Sequence, residues 1–362
     1  MEIDRLQPVV GERVWTGPQL ASTPERWTHT LSAAAIDELD TVVARCREQQ
    51  TPLLDIRYDD YELSALRTTL LDVRRELQDG VGFALLRGLP VERYSLADAA
   101  AAYFVIGAFF GEAVSQNAKG HALGHVRDLG VDPTTPTGRG YQSSHKLNFH
   151  TDPTDVVGLL CINKARRGGE SAIVSAGTVY NAVLAESPEL AHVLTQTFYR
   201  DRRGEIPAGR DPWYRLPIFN FKDGRLLTNF VRSTIEKAQR FDAVPRLTDA
   251  QRAAFELMER HAGSPHHYLK MAFEPGDIQL LNNHYILHSR SAYEDYAEPE
   301  RRRHLLRLWL ACADGPALPS PYFEFMDKTE AGRPNGYLMP GVVLSTPLGV
   351  EDGGPGESAQ RM

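Results

Sequence analysis

The sequence is short of cysteine, has no long apolar run and carries no surplus of positive charge, and each shortage removes a class of protein. Its three cysteines, Cys46, Cys161 and Cys312, lie far apart and form no Cys-x-x-Cys pair. That excludes a disulfide framework and a thiolate zinc site, and it suits a reducing cytoplasm. No stretch approaches the roughly eighteen apolar residues that a membrane-spanning helix needs. The opening MEIDRLQPVVGERVW holds acidic residues and no apolar core of a signal peptide, so the expected location is cytoplasmic. With a net charge of −7, a nucleic-acid partner would need a local basic patch against a repelling background. The one dense basic run, ERRRHLLR, falls in a segment that reads as a buried strand. A small-molecule substrate is therefore expected, with no nucleic acid and no membrane, and the oligomeric state is left open. A glycine-rich phosphate loop, a regular strand–helix alternation and internal repeats are also missing, which disfavours a nucleotide-binding doubly wound sheet.

What is present is the composition of a globular enzyme, 42% hydrophobic and 24% charged over 362 residues. Residues 1–58 read as an irregular N-terminal segment, 59–330 as one domain with helical insertions, and 331–362 as a tail whose end, EDGGPGESAQRM, is expected to be disordered. From Asp59 to Leu77, apolar residues recur at three- and four-residue spacing and predict an amphipathic helix. A second helix follows Ser95, its expected N-cap, and stops at Gly111; it is apolar on most sides and should pack deep. From His145 onward strand patterns dominate, including VVGLLCI, SAIVSA, TQTFYRD and a hairpin turned at Asp223-Gly224. One helix, capped by Thr248 and stopped by Gly263, interrupts them. Many short strands with Gly/Pro turns predict a mainly β fold with flanking helices, a jelly roll or cupin-like barrel (double-stranded β-helix).

Candidate chemistry begins at NFHTDPTD. His150 and Asp152 stand two apart, so on an extended segment their side chains point the same way. Two imidazoles and one carboxylate on one face of an octahedron would hold a mononuclear iron(II) and leave three positions free. The second histidine must come from a distant strand, and EPGDIQLLNNHYILHSR offers His284 and His288. In RRRHLLRLWL, strand alternation puts Arg303, Leu305, Arg307 and Trp309 on one face and His304, Leu306, Leu308 and Leu310 on the other. A guanidinium between leucines and a tryptophan needs a carboxylate, preferably bidentate. No obvious acidic partner lies nearby in sequence, so a bound dicarboxylate is a candidate.

Taken in order, NFHTD, RRGGESAIVSA, EPGDIQLLNNHYILHSR and RRRHLLRLWL resemble the iron(II)/2-oxoglutarate dioxygenases of the taurine dioxygenase (TauD/TfdA-like) family, over roughly residues 80 to 315. The resemblance implies that His150, Asp152 and His288 bind Fe(II), His288 being preferred to His284 because Asn283 stands five residues before it. It also implies that Arg307 pairs with the far carboxylate of 2-oxoglutarate, with Ser171 contacting the same group and Arg303 assisting. The implied reaction consumes O2 and 2-oxoglutarate, releases succinate and oxidises a substrate C–H bond by hydroxylation, desaturation or cyclisation. Related halogenases replace the carboxylate ligand with a small residue; Asp152 is present, so halogenation is not expected. Gln142, Ser143, Ser144, Asn148 and Arg290 border the substrate in this reading. They suggest a small polar molecule carrying an anion, such as an amino acid or a natural-product precursor.

A cupin-like hydrolase or isomerase using the same ligands is the alternative. Arg307 discriminates, because without 2-oxoglutarate there is little reason to bury it near the metal. His266-His267 and the pair His121 and His125 read as loop histidines. Arg202 and Arg203, in FYRDRRGE, read as a solvated charge run, with an acidic substrate as the other possibility.

Overall fold

Two facing β-sheets form the centre of the molecule, shown by a computed structural model that describes residues 6–349 other than 133, 134, 136, 137 and 338. The closing EDGGPGESAQRM lies outside the described residues. In the larger sheet the strands run in the spatial order Thr28–Thr30, Phe83–Arg87, Ile278–Asn282, Val156–Asn163, His304–Ala311 and Glu112–Ala113, with Leu123–Val126 also pairing with His304–Ala311. All these pairings are antiparallel except the first, which is parallel. The smaller sheet orders Leu269–Met271, Ser171–Ser175, Ile286–Arg290 and Leu147–His150, all antiparallel. Two such sheets face to face, with helices outside, make the jelly roll expected from the sequence.

Three apolar layers follow from strand alternation. Phe83, Leu85, Val157, Cys161, Ile173, Leu281, Ile286, Leu305 and Trp309 meet between the sheets. On the outer face of the larger sheet, Ala84, Leu86, Leu160, Ile278, Leu280, Leu306, Leu308 and Leu310 pack against the helices Ala33–Gln49, Ser64–Gln78 and Leu96–Phe110. Behind the smaller sheet, Val174 and Leu287 pack against the helices Ala176–Glu186, Pro188–Leu194 and Asp249–Ala262. Strands buried on both faces explain why VVGLLCI is continuously apolar rather than alternating. In the helix Ser64–Gln78, the spacing of Leu66, Leu70, Val73 and Leu77 turns one stripe inward, each leucine contributing about 1.5–3 kcal/mol by burial. Ser95 and Thr248 cap their helices with full capping boxes, closed by Asp98 and Gln251. Asp223 and Gly224, both at positive φ, turn the hairpin between Phe219–Lys222 and Arg225–Thr228.

Three expectations are corrected. Residues 1–58 are not irregular throughout: Ala33–Gln49 is a helix, capped by Ser32 and burying Ala35, Leu39, Val42, Val43 and Cys46. Helices also occupy Ala176–Glu186 and Pro188–Leu194, where only strands and loops were expected. The first of these is apolar on most sides because it is buried, so its sequence shows no amphipathic stripe. Finally, the segment after residue 330 is bound to the barrel as far as it is described. Gly336 and Ser345 form β-bridges with Ser115 and His121, and Arg333 is buried.

Candidate metal centre

Strand register brings the two imidazoles together. His150, the last residue of Leu147–His150, lies directly opposite His288 on Ile286–Arg290, and their ring centroids are 4.3 Å apart. The chain leaves the sheet after His150, and the backbone N–H of Asp152 donates to Asn283 Oδ1 at 3.1 Å, which turns the carboxylate toward the imidazoles. Asp152 Oδ2 is 4.0 Å from His288 Nε2, and one ligand atom from each of the three residues lies within 4.8 Å of the others. Among the described residues this is the one group of three or more histidine, cysteine or acidic side chains with metal-holding geometry.

The protonation state suits a cation. His150 Nδ1 bonds to the Asn148 carbonyl at 2.8 Å and must donate, leaving Nε2 with its lone pair free. Burial pushes both imidazoles toward the neutral form, His288 down to about 3. Burial also opposes ionisation of Asp152, but Arg307, the two imidazoles and the Trp309 indole N–H hold its carboxyl below the usual range. Neutral imidazoles and an ionised carboxylate are the forms that ligate. His284, the rival ligand, lies elsewhere. Its Nε2 is 2.7 Å from Asp155 Oδ1, in a buried cluster where Arg333 Nε and the Cys312 N–H donate to Asp155 Oδ2, each at 2.9 Å.

Beside the ligands opens a cavity of about 480 Å³. Arg307 is buried on its wall, but it has protein partners. Its Nη1 is 3.3 Å from Asp152 Oδ2, its Nε donates to Gln116 Oε1 at 2.7 Å, and the guanidinium lies 4.5 Å from the Tyr141 ring centroid. The acidic partner that the local sequence lacks is thus Asp152 itself. Two other guanidinia are less satisfied. Arg303 is 5% exposed and its Nη1 is buried without a hydrogen-bond partner. Arg290 donates through Nη2 to the Ser143 carbonyl at 2.7 Å and to that of His145, while its Nε and Nη1 are buried and unpartnered. Burial, then Arg303, lowers Arg290 to about 10; burial also lowers Arg303. Tyr293 lies against both, and Ser171 is the register partner of Arg290. Gly168 and Gly169 take left-handed conformations and let the chain pass close: a Cβ on Gly169 would come 3.0 Å from Arg303 Nε.

Of the residues expected at the substrate, Asn148 and Arg290 line the cavity, whereas Gln142 and Ser144 do not. The 3-10 turn Gly140–Gln142 presents Tyr141 to the cavity, and the Ser144 carbonyl is taken by the Tyr293 N–H. Sequence reasoning missed Gln116, Tyr141 and Tyr293. It could have found Trp309 in the site, since strand alternation puts it two residues from Arg307 on the same face. His125 stacks on His304 and belongs to no metal-holding group among the described residues. Arg203, read as solvated, lines the cavity, and Arg202 is buried with carbonyl partners.

Comparison with known proteins places this geometry. Residues 48–309 match the model of the family described as taurine catabolism dioxygenase TauD, TfdA family. FR-33289 synthase of Streptomyces rubellomurinus is 33% identical over 322 residues, covering 87% of this chain and 93% of that protein. The fold is similar to that of an asparagine oxygenase solved with Fe(II), 3-hydroxyasparagine and succinate (TM-score 0.61, 16% identity, 79% of this chain and 93% of that one). It is equally similar to the non-haem iron oxygenase OrfP with iron and α-ketoglutaric acid (TM-score 0.61, 14% identity, 85% and 100%). The chain belongs to the taurine catabolism dioxygenase TauD, TfdA family, and it is an iron(II)- and 2-oxoglutarate-dependent dioxygenase.

Proposed function

We propose that His150, Asp152 and His288 hold iron(II), and that the chain uses it with 2-oxoglutarate to oxidise a C–H bond of a small polar molecule in the adjoining cavity. The observation that carries this reading is the cross-strand pairing of His150 with His288, with Asp152 completing a face of two nitrogens and one oxygen. The donor set fits the metal: His288 Nε2 faces Asp152, and the His150 ring is oriented by a backbone carbonyl. When bound, iron(II) with 2-oxoglutarate and oxygen supplies the oxidising chemistry, and the keto acid leaves as succinate and carbon dioxide.

The chain's own contribution is to bind and orient. The far carboxylate of 2-oxoglutarate finds its best match in Arg303, with Arg290 and Ser171 beside it, because these two guanidinia are buried with unpartnered N–H groups. Arg307, assigned this role on resemblance, is better suited to holding Asp152 and facing the reacting end of the cavity. Trp309 and Asn283 fix the orientation of Asp152. Similar structures were solved with hydroxylated asparagine or hydroxylated arginine bound, and a relative is named FR-33289 synthase. These names support hydroxylation of a small metabolite.

Anaerobic titration with iron(II) and then 2-oxoglutarate, followed in the visible spectrum, tests the reading. A weak charge-transfer band that needs both additions is expected in wild type, and in Arg303→Met only at much higher 2-oxoglutarate. No band with iron demonstrably bound would overturn it.

A further inference from the structure

The cavity is more basic than the chain around it. In a protein of net charge −7, its lining holds seven arginines and lysines against three carboxylates. Most of these charges are accounted for. Arg307 is paired with Asp152, Arg232 with Glu236 and Glu259, and Arg139 with Glu205 behind the wall. Arg290 and Arg303 both lie against the Tyr293 ring, where the proposed 2-oxoglutarate site lies. Lys146 is exposed. Arg203 remains: its Nη2 donates to Ser233 Oγ at 3.0 Å, its Nε is buried without a partner, and no carboxylate among the described residues pairs with its guanidinium.

The backbone beneath Arg203 is unusual as well. With φ of 56° it is one of three non-glycine residues at positive φ among the described residues. The other two have ordinary reasons, Gln50 ending a helix and Asp223 turning a hairpin. Arg203 is held in this conformation by its N–H, which donates to Asp201 Oδ1 at 2.7 Å, while that carboxylate is also bound by Arg240. A left-handed conformation at a non-glycine residue costs on the order of 1 kcal/mol and is retained where the surroundings enforce it. Here it accompanies a guanidinium that lines the same cavity as His150 and Asp152.

We propose that Arg203, supported by Ser233, is an anion-recognising subsite that selects a substrate bearing a carboxylate, phosphate or similar oxyanion, held away from the 2-oxoglutarate site. This rests on the reading of the cavity given above. The Nε of Arg203 is unpartnered, and a guanidinium's fixed fork of N–H groups suits two oxygens of one anionic group. Glu259 Oε1, buried and unpartnered on the same lining, is an acceptor for an N–H or O–H group elsewhere on that molecule.

The test uses the full chain loaded anaerobically with iron(II) and saturating 2-oxoglutarate, inorganic phosphate as the probe, and calorimetry as the readout. Wild type is expected to bind phosphate. Arg203→Asn, whose side chain tolerates the left-handed backbone, should bind it at least about tenfold more weakly. Arg203→Gln makes the same comparison if the asparagine variant fails to fold, and Ser233→Ala should weaken binding by a smaller factor. Phosphate binding that is absent in wild type, or equal in wild type and the folded Arg203 variant, overturns the subsite while the charge-transfer band stands. Absence of that band in wild type overturns the cofactor reading and the subsite together.

Discussion

Trp309 donates its indole N–H to Asp152 Oδ2 at 2.9 Å, so the same strand that carries Arg307 also fixes the orientation of the Asp152 carboxylate. Outer partners of this kind typically tune metal affinity about 10- to 100-fold. Trp309→Phe keeps most of the volume and removes the donor. It should weaken iron(II) binding by roughly tenfold or more in a competition titration with a chelator. Unchanged affinity would mean that Arg307 and Asn283 hold Asp152 alone.

The two candidate histidines separate cleanly. His288→Ala should abolish iron binding, because it removes one of the three proposed ligands. His284→Ala should leave the metal site in place and lower stability, since Asp155 loses a buried partner. Metal analysis and a thermal melt on both variants decide it; loss of iron in His284→Ala with the fold intact would contradict the geometry.

Arg303 and Arg307 differ in their partners, and their variants should differ in the same way. Arg303→Met is expected to raise the dissociation constant for 2-oxoglutarate by roughly 10- to 100-fold, the loss of charge-assisted hydrogen bonds. Arg307→Met should affect 2-oxoglutarate less and iron more, through Asp152. The reverse ranking in anaerobic titrations would return the far carboxylate to Arg307.

Asp155 ties Arg333 to the barrel across 178 residues of sequence. Burial works against its ionisation, but His284 and Arg333 hold its pKa down to about 2. A depressed carboxylate pKa contributes stability that is present above the unfolded value, about 4, and is lost as pH falls toward 2. Arg333→Met leaves a buried carboxylate short of its cation and should cost about 3–5 kcal/mol in urea unfolding at neutral pH. A cost below about 1 kcal/mol would show that His284 suffices.

His304 is buried against His125, whose other ring nitrogen meets the Pro347 carbonyl at 2.8 Å. Burial, then His125, pushes His304 down to about 3. For a histidine lowered in the fold, stability is full above the unfolded value, about 6.5, and falls as pH drops below it, because the unfolded chain takes the proton first. Metal-free wild type should therefore lose up to about 2 kcal/mol more than His304→Gln between pH 6.5 and pH 5. Parallel slopes for the two proteins would remove His304 from the acid response.

The barrel and the type of its metal site were legible in the sequence because both are local patterns. Strands buried on two faces read as continuous apolar runs, capping residues directly precede the helices they start, and His150 and Asp152 share a face by being two apart. Helix Ala176–Glu186 was illegible for a related reason, since full burial erases the amphipathic stripe. What only the tertiary structure decided were relationships between segments far apart in sequence: that His288 rather than His284 stands opposite His150, that Asp152 is the acid beside Arg307, and that Arg203 lines the same cavity as His150. Strand register, and the pairing of charges buried by it, depend on which surfaces the whole chain brings into contact, and no local spacing encodes that.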